Sequence, residues 1–468
     1  METAIKDIHF EKLLKKALKN GGDFSEIYIE RKQGTSIVSE ARRIERYVST
    51  TENGVGLRVV IGDKSAYAHT NDLSTLDELA DTVAAAVKKG AFDSTIALEK
   101  RPVRDMVLSS IDPTGVGSEK KIEMVNRAGE RAWGFDPSVV QVRVMYGDGV
   151  RQVLVANSRG FIVEDRRDSI VFVVQGVVAK GSLMETGYEP VGGARGFELL
   201  DEVPPELIAE RALSRAVQTL HARRAPAGTM PVVLSSESGG TMVHEAIGHG
   251  LEADLAGEGL SVYSGQIGNR VASDAITVID DGTIRGLRGS MGYDDEGNPS
   301  TRTVLVENGI LKTYLTDFIT SMKFGLPLSG NGRRESYRNR PIPRMSNTMI
   351  QPGILSPEDI IAKAGKGVFV KKMGGGQVNT VNGDFVFNIS EGYLIENGGI
   401  GEPIRGATLI GNGPKILKSI EYVGNDLGFG IGTCGKDGQG VGVADAQPTL
   451  LIPEITVGGE IGAPPSAA

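Results

Sequence analysis

A single cysteine, Cys434, and a single tryptophan stand in a chain of 468 residues. One thiol cannot form an intramolecular disulfide, and its scarcity fits a reducing compartment. No window of about 18 residues is apolar and charge-free enough to span a bilayer. The stretch from Met1 to Asp7 has no basic segment leading into an apolar core, so no signal peptide is expected. A concentrated basic surface is also missing. The net charge is −8 and the pI about 5.4, so a nucleic-acid backbone is not the expected ligand. The basic clusters Lys15, Lys16, Lys19 and Lys371, Lys372 are short and read as solvated helix or turn. A cytoplasmic protein without a nucleic-acid or membrane partner is expected.

Hydrophobic residues make up 40% of the chain, enough to bury sizeable cores. The length suggests two domains, at roughly 100–200 residues each. Of 63 glycines, 43 follow residue 225. That shift places a boundary in the stretch Ala222–Met230 and divides the chain into 1–225 and 226–468. The first half alternates helical and strand patterns. Helices are expected over His9–Lys19, from Ser74 to about Lys89, from Ser118 to Trp133, and over Pro205–His221. Strands are expected around Ile27–Ile29, Ser36–Val38, Arg46–Ser49, Gly54–Ile61, Val139–Met145, Gln152–Ala156 and Ile170–Val178. This is an α+β domain with a mixed or antiparallel sheet. The second half carries the hairpin dipeptides Asp281-Gly282, Asn308-Gly309, Asn382-Gly383 and Asn397-Gly398. Only two helices are expected there, one around His244 and one opening at Ser356-Pro357. It reads as a Gly-rich, β-rich barrel or sandwich carrying one functional helix, and no solenoid repeat is present.

Two of the five histidines, His244 and His249, bracket Glu245 in the pattern H-E-x-x-x-H. At i and i+4, two histidines share a helix face and can bind one zinc ion. At i and i+5 they lie about 140° apart on a regular α-helix. A π-bulge restores the shared face, and Gly248, lacking Cβ, eases it. A hydrolytic zinc usually keeps three protein ligands and one open position. Glu252, Asp254 and Cys434 are the candidates for the third.

The His244–Glu252 stretch and the late loop Gly432-Thr433-Cys434-Gly435-Lys436 resemble the TldD/PmbA family. Gly54–Arg58, Thr70–Leu73, Gly330–Arg334 and Gly406–Asn412 agree, and the resemblance runs from about residue 20 to residue 450. It implies zinc held by His244, His249 and Cys434, and peptidase action on unfolded peptides. It further implies a dimer of two-domain subunits, either a homodimer or a heterodimer with a PmbA-type (TldE) partner. PmbA-type members lack the metal motif, whereas this chain keeps it. In such a site zinc acidifies water and polarises the scissile carbonyl. Glu245 is then the expected general base, passing the water proton to the leaving amine.

Tyr263, Tyr293 and Tyr337 are candidate donors to a developing oxyanion by residue type alone. Arg333 and Arg334 could grip a substrate carboxylate or carbonyl, but an ion pair with a local acid such as Glu335 is the stronger expectation. Asp294-Asp295-Glu296, bracketed by Gly292 and Gly297, could be a cation site and reads first as a solvated hairpin tip. Two other classes compete with a zinc peptidase. One is a catalytically silent partner or regulator, the role attached to PmbA-type members and to the family's older label as a modulator of DNA gyrase. The other is a binding module with a structural metal. A closed four-ligand site is hard to build from one cysteine and scattered histidines.

Overall fold

The computed structural model describes residues 8–87, 90 and 95–459. Helix α1 (Phe10–Ala17) buries Leu13, Leu14 and Ala17, the face that its apolar spacing defines. It leads into three antiparallel strands, β1 (Phe24–Glu40), β2 (Arg43–Ile61) and β3 (Lys64–Thr70). Helix α2 (Leu76–Ala85) follows a 3₁₀ turn whose cap is Asp72, which accepts the Ser74 N–H at 2.9 Å. The expected Ser74 cap is therefore displaced. Lys89, the expected end of that helix, lies outside the described residues. Strand β4 (Glu99–Lys100), helix α3 (Ser118–Trp133), strands β5 (Val139–Asn157), β6 (Phe161–Lys180) and β7 (Leu183–Gly193), and helix α4 (Pro205–His221) complete this half.

The resulting seven-stranded sheet has the order β3-β2-β1-β5-β6, with β4 and β7 both on β6. Only the β4–β6 pairing is parallel, so the sheet is mixed. Helices α1 and α2 bury Leu14, Leu18, Leu79 and Val83 against Ile27, Leu57 and Leu154. Helices α3 and α4 bury Val125, Ala128, Ala212 and Leu213 against Val144, Phe172 and Val174.

Several expected short strands are one long strand. Arg31–Gly34 interrupts the apolar pattern, yet each residue pairs with both β2 and β5. Likewise Tyr146–Arg151 carries β5 without a break. Backbone pairing on both flanks is the physical reason, and the Asp148 side chain adds to it by accepting the Thr35 N–H at 3.0 Å. Gly34, which pairs with Gly149, is required beside it, since a Cβ there would sit 2.5 Å from the Asp148 carbonyl oxygen.

Past residue 226 the principal strands are β8 (Gly228–Leu234), β9 (Val278–Asp281), β10 (Arg302–Glu307), β11 (Ile310–Leu311), β12 (Asn347–Ile350), β13 (Gly367–Val378), β14 (Asp384–Glu396), β15 (Gly399–Arg405), β16 (Thr408–Asn412), β17 (Gly428–Lys436), β18 (Gln439–Gln447) and β19 (Leu450–Gly458), beside the two-residue strands Gly332–Arg333, Ile342–Pro343 and Tyr422–Val423. Five of them close on themselves in the order β13-β8-β19-β16-β14, with β14 pairing back onto β13. The expected barrel is present. A second sheet runs β11-β10-β9-β12-β18-β17 and leaves β17 at its edge. Asn308-Gly309 and Asn397-Gly398 form tight turns with positive φ at both residues. Asn382-Gly383 closes the β13–β14 hairpin. Asp281-Gly282 does not form a hairpin. The Asp281 carboxylate accepts the Thr283 N–H at 2.9 Å, and the chain leaves in a long excursion over 282–301 before β10.

Helix α6 (Pro357–Ala364) starts at Ser356 as its pattern predicts. Two further helices of more than one turn, α5 (Phe318–Phe324) and α7 (Gly413–Ser419), add to the expected pair among the described residues, besides a single turn at Ala253–Ala256. Both are seven residues long, too short for a periodic signal. Their caps were the legible cue: Asp317 with Thr320 in a capping box and Gly325 beyond α5, and Asn412 before Pro414 in α7.

Asp294-Asp295-Glu296 is no solvated tip. All three are at most 1% exposed and close an ionic network between the first sheet and the 282–301 excursion. Asp295 pairs with Arg167 at 2.7 Å and accepts the Arg334 N–H at 2.7 Å. Glu296 pairs with Arg58, which also meets Glu26 at 3.0 Å. Arg334 pairs with Glu26, not with Glu335, and Arg333 donates to the carbonyls of Met345 and Gly442. Glu335 instead accepts the Gly440 N–H at 2.9 Å. Burial pushes Asp294 up to about 7 and Glu296 well above its ordinary range. Burial also raises Asp295, but Arg167, Arg151 and Arg334 outweigh it and hold that carboxyl at about 2.

Glu26 is fully buried between two arginines. Replacing it leaves buried guanidinium charge unpaired, which costs about 3–5 kcal/mol. Glu26→Ala is expected to lower the urea midpoint accordingly. An unchanged midpoint would show that water or another carboxylate already compensates these arginines.

Candidate metal centre

The helix carrying the two histidines is short and irregular. One α-helical turn over Thr241–Val243 widens into a π-helical turn over His244–Gly248 and tightens into a 3₁₀ turn over His249–Leu251. The π turn is the bulge the i, i+5 spacing requires. It turns the two imidazoles toward each other, with ring centroids 4.9 Å apart and planes at 88°. Gly248 is needed beside it, because a Cβ there would stand 2.2 Å from Met345 Sδ. The start of the helix is tied to β18 by the Gly240 N–H, which donates to the Asp445 carbonyl at 3.1 Å. Val243, Ala246 and Ile247 pack into the barrel core with Val232, Val370 and Phe387.

Cys434 approaches from the sheet-edge strand β17, opposite Val441 of β18. Its Sγ is 3.4 Å from His249 Nε2. One ligand atom each from His244, His249 and Cys434 all lie within 4.8 Å of one another. Zinc bonds of about 2.0–2.3 Å in a tetrahedron place neighbouring ligand atoms ~3.3–3.8 Å apart. The Cys434 Sγ–His249 Nε2 separation of 3.4 Å matches that spacing, and the three residues together could hold a metal ion.

The remaining imidazole nitrogens are already engaged. His244 Nδ1 lies 2.7 Å from Asp445 Oδ1, and His249 Nδ1 lies 2.9 Å from Glu252 Oε2. A carboxylate acceptor fixes the proton on Nδ1 and turns the Nε2 lone pair inward. Glu252 and Asp254, the alternative third ligands, stand in this outer layer. Glu252 is fully buried, and Lys436 Nζ reaches its Oε2 at 3.1 Å and Asp254 Oδ1 at 2.7 Å. Arg344, also fully buried, donates to the carbonyls of Cys434 at 2.5 Å and Gln439 at 3.1 Å. Asp445 and Arg344 were not singled out in the sequence, and Lys436 stood there only as part of the loop that carries the family resemblance. The β17–β18 hairpin turns at Asp437-Gly438, both with positive φ, and that turn dipeptide was the available signal for bringing Asp445 back beside Cys434.

Burial alone would raise the Cys434 thiol, but hydrogen bonds and charge from His244 and His249 bring it down to about 6. Burial lowers His249, yet Glu252 and Cys434 outweigh it and lift the imidazole to about 10. His244 moves well upward for the same reason, through Asp445 and Cys434. One thiolate and two carboxylates thus surround a small space that attracts positive charge. A dication entering it displaces protons.

Glu245 follows His244 directly. It is half-buried and has no hydrogen-bond or ion-pair partner among the described residues. Two of the three tyrosine candidates are otherwise occupied. Tyr263 donates its hydroxyl to the Ala246 carbonyl at 3.0 Å and so supports the π turn. Tyr293 donates to the Pro102 carbonyl at 2.6 Å. A tyrosine hydroxyl has one proton to give, so neither is a spare donor. Tyr337 is buried with its ring packed over Gly54.

Comparison with known proteins gives the family. Residues 25–89, 111–220 and 227–459 match, in turn, domain 1, the central domain and the C-terminal domain described as PmbA/TldA metallopeptidase. The metalloprotease TldD homolog of Haemophilus influenzae is 38% identical over 450 residues, 93% of each chain. The zinc metalloprotease TldD homolog of Saccharolobus solfataricus is 28% identical, covering 96% of this chain and 100% of its own. The crystal structure of TldE from Thermococcus kodakarensis shares the fold, with a TM-score of 0.76 and 18% identity over 97% of this chain and 99% of that one. With 38% identity across nearly its whole length, this chain belongs to the PmbA/TldD metallopeptidase family.

Proposed function

We propose that this chain is a zinc-dependent peptidase acting on unfolded or extended peptides, with zinc on His244, His249 and Cys434 and Glu245 as the general base. The observation that carries this reading is the convergence of three ligand atoms within 4.8 Å from a helix and a strand about 185 residues apart. Bound there, zinc would supply the Lewis acidity that makes water a nucleophile near neutral pH. The chain's own groups do the rest. Asp445 and Glu252 hold the imidazoles in one tautomer, and Lys436 and Arg344 hold Glu252 and the Cys434 strand. Glu245, next to a ligand and free of partners, accepts a proton from the attacking water and returns it to the leaving amine. A catalytically silent, PmbA-type role is the weaker reading, because such a role needs no assembled ligand set.

Strand β17 supports the choice of substrate. It carries Cys434, lies at the sheet edge and, among the described residues, pairs only with β18. An extended peptide can add to such an edge through backbone hydrogen bonds, with little demand on side chains. A folded protein keeps its own backbone paired and offers no such strand. We assign catalysis to residues 226–468 and a distinct domain to 1–225. The subunit acts as a homodimer or with a TldE-type partner, the reading its likeness to TldE supports. No described helix is long and apolar enough to cross a membrane, and a cytoplasmic location follows from the lone thiol.

Glu245→Ala is expected to retain about one zinc per chain while cleavage of a denatured protein falls ~10²–10⁴-fold. The wild type should leave the same protein intact when folded. A wild-type rate in the variant would place the base elsewhere, and equal cleavage of the folded form would refute the unfolded-substrate claim. Light scattering of the active protein should give the mass of a dimer. A fully active monomer would defeat that part of the proposal.

A further inference from the structure

A cavity of about 250 Å³ lies where the first sheet meets the far side of the β17–β18 hairpin. Arginines crowd its wall in a chain whose net charge is −8. Three of them are neutralised: Arg151 by Glu30 at 2.7 Å, Arg167 by Asp165 at 2.9 Å, and Arg334 by Glu26. Arg288 and Arg333 differ, because neither has a carboxylate within ion-pair distance among the described residues. Each guanidinium carries five donors. Arg288 spends one on Thr433 Oγ1 at 3.0 Å, and its buried Nε has no partner. Arg333, 7% exposed, gives its terminal nitrogens to the carbonyls of Met345 and Gly442.

Two of the acids on the wall are paired with other groups, while Glu335 meets no cation within ion-pair distance among the described residues and shares the wall with Lys32, which likewise meets no carboxylate. Asp295 serves Arg167 and the Arg334 N–H, Asp168 pairs with Arg166 at 2.7 Å, and Glu335 caps the hairpin at Gly440. The two unpaired guanidiniums converge on Gly442. A Cβ there would stand 3.2 Å from Arg288 Nε, while the Gly442 carbonyl accepts from Arg333 at 2.8 Å. Burial draws Arg333 down to about 10, although Asp295 and Asp280 push the other way, and draws Arg288 below its ordinary value. At neutral pH both remain charged, and such charge calls for an anion.

We propose that this cavity is an oxyanion-binding site, in which Arg288 and Arg333 grip a small multivalent anion such as inorganic phosphate or a short dicarboxylate. The planar forks of two arginines match such oxygens. The site is separate from the metal group. Thr433 pairs with Gly442 across the hairpin, one register step before Cys434 and Val441, and successive side chains on a strand face opposite ways. An anion here would tie the strand that bears Cys434 to the first sheet from behind. The claim does not depend on peptidase activity.

Calorimetry on the full-length, zinc-loaded protein at constant ionic strength tests it, with inorganic phosphate and succinate in separate arms. Saturable one-to-one binding of phosphate is expected, weakened about tenfold or more by Arg288→Gln, as the loss of a charged hydrogen bond implies. Arg288→Lys keeps the charge and should weaken it less, and it carries the test should the glutamine variant unfold. Succinate binding more tightly, with the same dependence on Arg288, keeps the site and names a carboxylate as its ligand. Binding of neither anion overturns the proposal. So does binding that survives both substitutions, which would mean an anion caught at the metal or an adventitious ion only.

Discussion

Two histidines five residues apart can share one ion only where the helix between them widens. That constraint organises this half of the molecule. The π turn at His244–Gly248 needs glycine at 248, because Met345 lies where a side chain would go. It needs a donor for a carbonyl displaced from regular geometry, and Tyr263 supplies one to Ala246. It needs a firm origin, which Gly240 takes from the backbone of β18. The same strand then presents Asp445 to His244, and its hairpin partner presents Cys434 to His249. Helix and hairpin therefore hold each other in register, and neither alone completes the group.

Charge buried around this arrangement is layered. Nearest the histidines are the thiolate and the acceptors Asp445 and Glu252. Behind them Lys436 and Arg344 offset the acids while bracing the hairpin. Further out, Glu26, Arg58, Arg334 and the 294–296 acids join the first sheet to the second half of the chain. Partial satisfaction of such networks is costly, so they fix geometry more than they add stability. The family match covers all three segments of the chain, consistent with a site that depends on the whole assembly.

Much of this was legible in the sequence because it is local. The H-E-x-x-x-H spacing announced the π turn, Asn-Gly pairs announced hairpins, and the glycine-rich second half announced a β-rich fold. What escaped was non-local. Asp294–Glu296 has the composition of an exposed turn, and only the arrival of Arg58, Arg167 and Arg334 from distant segments buries it. Asp445 sits more than 190 residues beyond the histidines and becomes visible only once β17 and β18 are paired. Arg31–Gly34 looked like a break because polar residues ended an apolar pattern, yet backbone pairing on both sides carries the strand through. The pull of Arg333 and Arg334 toward Glu335 was sequence proximity, which the fold does not honour.

X-ray absorption at the zinc edge of the purified protein tests the central claim most directly. The account predicts one sulfur at about 2.3 Å and two imidazole nitrogens at about 2.0–2.1 Å, with a fourth, lighter neighbour. A zinc shell of nitrogen and oxygen alone, without sulfur, would contradict it by removing Cys434 from the site.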